Sequence, residues 1–168
     1  GGWLTHPAAD EGFGAVHEVD YGLRVVAALG AQTNDLTLMA RSDDADRQHV
    51  AGLLAALPPG NRVAIHPGSG GYSMARRWEP AKWAAVADAL LERRGAQVIL
   101  VGMPADGADS VQAAMHSQAT NLAGQTSLPQ LAALLGQCDL FLGADSGVMH
   151  LASATGVPVV ALFGPSNH

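Results

Sequence analysis

Cysteine occurs once in the 168 residues, at Cys138. A disulfide framework and a cysteine-rich metal site are therefore both excluded. The residues around Cys138 suit a small apolar side chain packed beside a strand. Charged residues make up only 14% of the chain, against roughly 25% in an ordinary soluble domain. Lysine is almost missing: Lys82 stands alone beside eight arginines, and the net charge is −6. That balance leaves no basic footprint for nucleic acid. The stretch from Ser146 to Pro165 carries no Asp, Glu, Lys or Arg. Ser146, His150, Ser153, Thr155, Gly156 and Pro158 interrupt it, so it does not read as a membrane span. No signal peptide is visible at Gly1–Gly2–Trp3, and a cytoplasmic protein is the expectation.

What the chain does contain is apolar and glycine-rich. Hydrophobic residues reach 48%, glycine numbers 20, and mean hydropathy is +0.14. A disordered chain is excluded, and a sizeable core can be buried. From Arg62 onward, short apolar runs alternate with helical patterns. Strands are expected at Val63–His66, Val98–Val101, Asn121–Ala123, Leu140–Leu142 and Val159–Phe163. Helices are expected at Pro80–Arg94, from Asp106 to about Ser117, from Ser127, and at Gly147–Thr155. Pro80 suits a first helical position and Gly95 a helix stop. Ser127 and Gln130 have capping-box spacing, with Leu128, Leu131 and Leu135 as the buried stripe. Such alternation predicts an α/β, Rossmann-like doubly wound parallel sheet with helices on both faces. Residues 1–61 are less regular. They suggest a helix over His17–Leu29, a strand over Leu36–Met39, and a helix capped by Ser42 and running to Leu57. Residues 62–168 then form the sheet domain. Because the chain stops directly after a buried strand, a further covering helix is expected and the domain reads as truncated.

In an open α/β sheet, ligands bind beyond the carboxyl ends of the strands. Three such ends are polar or glycine-rich. His66–Gly71, running on to Arg76–Arg77–Trp78, offers backbone N–H groups, the Ser69 hydroxyl and arginines to an anion; its bland alternative is a loop with two solvated arginines. Asp106 can accept hydrogen bonds from ribose hydroxyls, or serve with Asp109 as a first-turn helix charge. Gly143 to His150 leads a strand into a helix through Asp145–Ser146–Gly147, where helix-start N–H groups can face a phosphate. Ser146 also suits an ordinary N-cap, and His150 a satisfied buried histidine. A hydrolase nucleophile elbow at Ser146 would need glycines two positions either side, where Ala144 and Val148 stand.

The order of motifs is distinctive: His66–Pro67–Gly68–Ser69, Arg76–Arg77–Trp78, Val101–Gly102 with Pro104–Ala105–Asp106, Asn121–Leu128, Asp145–Ala152 and Phe163–Ser166. From Val63 to Asn167 the chain resembles glycosyltransferase family 9, the ADP-heptose:lipopolysaccharide heptosyltransferases. His17–Gly30 is similar to the run joining that family's two domains. The resemblance implies the C-terminal half of a GT-B glycosyltransferase, with residues 1–61 as an interdomain or N-terminal-domain remnant. It implies transfer of heptose from ADP-heptose to the lipopolysaccharide inner core, without a metal or other cofactor. The implied donor-binding residues are Ser69 and Arg76 toward phosphate and Asp106 toward ribose. Thr126 would lie beside adenine, and Asp145, Ser146, Gly147 and His150 around the diphosphate and sugar. Arg76 replaces the family's usual lysine, keeping its charge and changing its geometry. No catalytic base is assigned, because the family's lies in the N-terminal domain; the chain alone is expected to be inactive. Cytoplasmic residence follows, with peripheral association at the inner membrane. Two alternatives stand beside this: another GT-B enzyme using a UDP-sugar, as transferase or epimerase, or a nucleotide-binding module without catalysis.

Overall fold

A computed structural model describes residues 12, 15–70 and 77–164. Two compact units divide the chain, one reaching to Thr37 and the other comprising Leu38–Ser166. In the first, helix α1 (Glu18–Ala27) starts at His17, whose side chain accepts from the Val19 N–H, and buries none of its residues.

The second unit begins with α2 (Asp44–Leu54). Its cap is Asp43, not the expected Ser42. Asp43 accepts from the Asp46 N–H at 2.8 Å, and Asp46 returns the bond to the Asp43 N–H at 3.1 Å. A carboxylate at this point also meets the positive end of the helix dipole. Ser42 instead accepts from Arg47. The expected strand at Leu36–Met39 does not form. Leu36, Leu38 and Met39 are exposed, and no strand pairs with them.

The sheet then follows: β1 (Arg62–His66), α3 (Pro80–Arg94), β2 (Gln97–Leu100), α4 (Ala108–Ala114), β3 (Thr120–Asn121), α5 (Leu128–Leu135), β4 (Leu140–Ala144), α6 (Gly147–Thr155) and β5 (Val159–Leu162). All neighbouring pairs are parallel, in the order β3-β2-β1-β4-β5. The expected α/β doubly wound sheet is thus present. Strand residues alternate between its two faces. Ala64, Ile99, Val101 and Phe141 join α2, α5 and α6 in one core. Val63, Ile65, Val98 and Leu100 join α3 and α4 in the other. Placing α2 on the sheet, packed against α5, moves it out of the N-terminal segment to which the sequence assigned it.

Local signals account for most boundaries. Pro80 opens α3, and Gly95 closes it in the left-handed conformation at φ 60°. Ser127 and Gln130 form the expected capping box. Leu128, however, points outward at 66% exposure, while Leu131, Leu134 and Leu135 are buried. The expected helix from Asp106 is split: a 3₁₀ turn at Pro104–Asp106 precedes α4, with Gly107 at φ 94° between them. Cys138 packs against the α5-side core and donates to the Leu134 carbonyl. Burial pushes its thiol up to about 12, so it is inert at neutral pH. Among the described residues, no helix is long and apolar enough to cross a membrane.

Candidate functional site

Strand order reverses between β1 and β4. The chain runs outward from β1 through β2 to β3, then returns to place β4 on the other flank of β1. This is the switch point at which doubly wound sheets open a crevice beyond their carboxyl edge. His66 and Gly143 are paired in register there.

The turn after β1 carries the buried Ser69 and then Gly70 at φ 70°. Arg76 lies outside the described residues. Its neighbour Arg77 sets Nη1 3.5 Å from the Ala105 carbonyl, beside the turn that holds Asp106. After β4, half-buried Asp145 leads to Ser146, the N-cap of α6. Ser146 Oγ accepts from the Met149 N–H at 3.4 Å. The Gly147 and Val148 N–H groups donate to no described residue, as expected of the first turn of a helix. Gly147 is exposed, and a β-carbon added to it would meet no atom within 4 Å. His150 is also exposed, so the buried-histidine alternative is overturned.

Asp106 is more deeply engaged than its sequence position suggests. Its Oδ2 accepts from the Met103 N–H at 2.7 Å and lies 3.1 Å from His66 Nε2. The other ring nitrogen, Nδ1, lies 3.2 Å from Ser146 Oγ. An ionised carboxylate only accepts, so the Nε2 proton is donated to Asp106 and Nδ1 accepts the Ser146 hydroxyl. One continuous chain results: Met149 N–H to Ser146, Ser146 to His66, His66 to Asp106. It ties the start of α6 to the turn after β2 across the end of β1. Burial pushes the His66 pKa below its ordinary value. Hydrogen bonding and charge from Asp106 oppose that shift, and Arg77 adds to it. The ring is therefore neutral at neutral pH, as this proton pattern requires.

Two glycines pack against the same pair. A β-carbon on Gly68 would lie 2.5 Å from Asp106 Oδ1, and one on Gly102 2.6 Å from His66 Cδ2. Oδ1 itself accepts no hydrogen bond from any described residue. Although serine, histidine and aspartate are linked here, the chain does not resemble a hydrolytic relay. Ser146 is 8% exposed, and its oxygen is committed to capping a helix.

The structure thus brings Asp106, Ser146 and Gly147 to one rim, with Asp145, His150 and Ser69 on adjoining segments. Thr126 is half-buried just before the Ser127 cap of α5, on the loop leaving β3, and shares no hydrogen bond with the chain above. The sequence analysis missed His66 as a site residue. The only signal was a histidine ending an otherwise apolar strand at the ligand-binding edge. Among the described residues, no cluster of three or more His, Cys, Asp or Glu side chains suits a metal ion.

A family profile described as glycosyltransferase family 9 (heptosyltransferase) matches residues 24–168. Lipopolysaccharide heptosyltransferase 3 of Escherichia coli is 33% identical over 171 residues, covering 98% of this chain and 48% of that protein. Lipopolysaccharide heptosyltransferase 2 of Salmonella typhimurium is 37% identical over 102 residues, covering 57% and 29%. Among solved structures, a family 9 glycosyl transferase from Veillonella parvula superposes with TM-score 0.81 and 27% identity, over 95% of this chain and 47% of that one. The Escherichia coli ADP-heptose lps heptosyltransferase II gives TM-score 0.70 and 29% identity, over 81% and 43%. The chain spans about half, or less, of the length of the curated relatives it matches.

Proposed function

Because the chain belongs to glycosyltransferase family 9, we propose that it is the donor-binding half of a heptosyltransferase with a GT-B architecture. In this reading it holds ADP-heptose while the heptosyl unit passes to a sugar hydroxyl of the lipopolysaccharide inner core. One observation carries the reading: the start of α6, with uncommitted N–H groups at Gly147 and Val148, opens at the switch point of the sheet. The bond from the anomeric carbon to the diphosphate breaks during transfer, and negative charge gathers on the departing ADP. Helix-start N–H groups are already oriented toward such an anion and need no rearrangement as the charge develops. In this reading Arg76 contributes a further positive charge toward the phosphates. Charge neutralisation in this scheme needs no metal.

Asp106 accepts from the ribose hydroxyls through Oδ1, the oxygen that His66 and Met103 leave uncommitted. Thr126 borders the base, and Ser69 reaches the phosphates. Asp145 and His150 serve the sugar and diphosphate. No base is assigned within this chain, so on its own it is expected to bind the donor without transferring the sugar. In this reading the reaction takes place in the cytoplasm, at the inner face of the inner membrane.

Calorimetric titration with ADP and UDP tests this reading. ADP is expected to bind more tightly, and equal or stronger UDP binding would overturn the ADP-heptose assignment. The variant Gly147→Ala provides a second arm. Its added methyl meets nothing in the protein, so stability should hold while ADP affinity falls. Unchanged affinity would remove the diphosphate from the start of α6.

A further inference from the structure

We propose that His66 is a positioning residue for the donor, setting the ribose-facing carboxylate and the phosphate-facing helix start at a fixed separation. This rests on the donor-binding reading above. Asp106 and Ser146 stand on different connections, one after β2 and one after β4. His66 lies between them on β1, 40 residues from Asp106 and 80 from Ser146 in sequence. Its ring uses both nitrogens, one toward each, and only 2% of the residue is exposed. An apolar ring would fill that space without desolvating two polar atoms. The histidine is thus unfavourable for packing alone, and what it adds is a two-ended link.

The direction of the link matters as much as its presence. With the proton on Nε2, Asp106 remains a pure acceptor and keeps Oδ1 for a ligand hydroxyl. With Nδ1 accepting, the Ser146 hydroxyl turns inward, so its lone pairs stay available to the Met149 N–H. Asp106 Oδ1 and the Gly147 and Val148 N–H groups are then the atoms left for the ligand. Gly68 and Gly102 close the space on either side, since a β-carbon at either position would overlap the pair. Asp106 therefore has little freedom to swing toward solvent. Ribose and diphosphate lie at adjacent points of one nucleotide, and a rigid link between their receptors lowers the ordering cost of binding both.

Variants of the ring separate positioning from simple packing. His66→Phe keeps the volume and loses both links. His66→Gln restores a donor near Nε2 and so the link to Asp106. His66→Asn reaches only as far as Nδ1 and so serves Ser146. Each is titrated with ADP, 2′-deoxy-ADP, 3′-deoxy-ADP and inorganic pyrophosphate, with thermal unfolding recorded alongside. The wild type should prefer ADP to at least one deoxy analogue by about tenfold or more, as a charged hydrogen bond to a hydroxyl allows. His66→Phe and His66→Asn should lose most of that preference, and His66→Gln should regain it. Pyrophosphate should weaken in His66→Gln and hold in His66→Asn. A merely structural histidine would lower the unfolding temperature and leave these ratios unchanged, and that result overturns the proposal. Should the variants fail to fold, nitrogen-15 spectra of the wild-type imidazole decide the matter. They should show the Nε2–H tautomer, with its proton exchanging more slowly once ADP is bound. An Nδ1–H tautomer, or exchange unaffected by bound ADP, overturns the link. A wild-type chain that binds no ADP overturns the donor reading itself. ADP binding with unaltered ratios in the variants overturns this proposal alone.

Discussion

Gly102→Ala is the sharpest perturbation that the packing around Asp106 allows. Gly102 has φ 122°, in the region that favours glycine, and an alanine there should cost about 1–2 kcal/mol in backbone strain. The new methyl carbon would also lie 2.6 Å from His66 Cδ2 and 2.8 Å from Asp106 Oδ2. Overpacking of that kind adds about 1–3 kcal/mol. The total, about 2–5 kcal/mol, is a large share of the roughly 5–15 kcal/mol that holds a typical domain folded. Gly107→Ala supplies the control. Gly107 has φ 94°, but nothing lies within 4 Å of its added carbon, so it should show the backbone strain without the overlap. The two variants should therefore differ by about 1–3 kcal/mol. At about 2–4 °C per kcal/mol for a chain of this size, thermal unfolding resolves that gap. Trp83, 2% exposed in the core on α3, provides a fluorescence signal for urea titration. Gly102→Ala should also weaken ADP binding, because only movement of the His66–Asp106 pair relieves the overlap. If Gly102→Ala is no less stable than Gly107→Ala, the pair is not seated against this backbone and the reasoning fails.

Asp106→Ala should cost about 1–3 kcal/mol in thermal melts by leaving the buried His66 Nε2–H without a partner. Asp106→Asn, which keeps an acceptor there, should cost less yet still lose ADP affinity in calorimetry; full affinity in the Asn variant would remove the ribose contact. Asp88 is buried on α3 and accepts from the His116 and Ser117 N–H groups at 3.0 and 2.9 Å. Asp88→Ala should destabilise by about 1–3 kcal/mol without altering ADP affinity, measured by urea unfolding and titration. For His66, burial lowers the folded pKa below 6.5, so the unfolded chain binds the proton more readily. The contribution of the neutral ring is then complete above about 6.5 and is lost as pH falls from there toward the folded value. Wild type should lose stability over that window relative to His66→Gln, and equal slopes in urea titrations at several pH values would refute it.

Helices with chemical punctuation at both ends were legible in the sequence. Pro80 and Gly95 bound α3, and Ser146 and Gly156 bound α6, because proline geometry, side-chain caps and left-handed glycines act over a few residues. The strand order followed less directly, through the alternation of elements that compels parallel pairing. Misreadings arose where local pattern had no tertiary partner or several. Leu36–Met39 has strand-like composition but nothing to pair with. Ser42 and Asp43 both suit a cap, and the carboxylate took the role. Leu128 carries the right spacing but sits in the first turn of α5, exposed. For the site, the helix start at Ser146–Gly147 was visible because a cap and a glycine are adjacent in sequence. His66 was not, because both its partners are distant and no short-range rule joins them.

That distance has a consequence for how the protein matures. His66, Asp106 and Ser146 are separated by successive intervals of about forty residues, His66 ending β1 and the other two lying on different connections of the sheet. No contiguous segment can assemble the proposed ribose and phosphate receptors. Contacts of such long sequence separation form late, because the intervening loops must close first. β1 gains its flanking strands from both directions, so β4 has to dock before His66 can reach Ser146. On the donor-binding reading, nucleotide affinity is a readout of completed folding. A nucleotide that binds only the finished sheet stabilises it by mass action, and during synthesis it would select chains whose β4 has already joined β1.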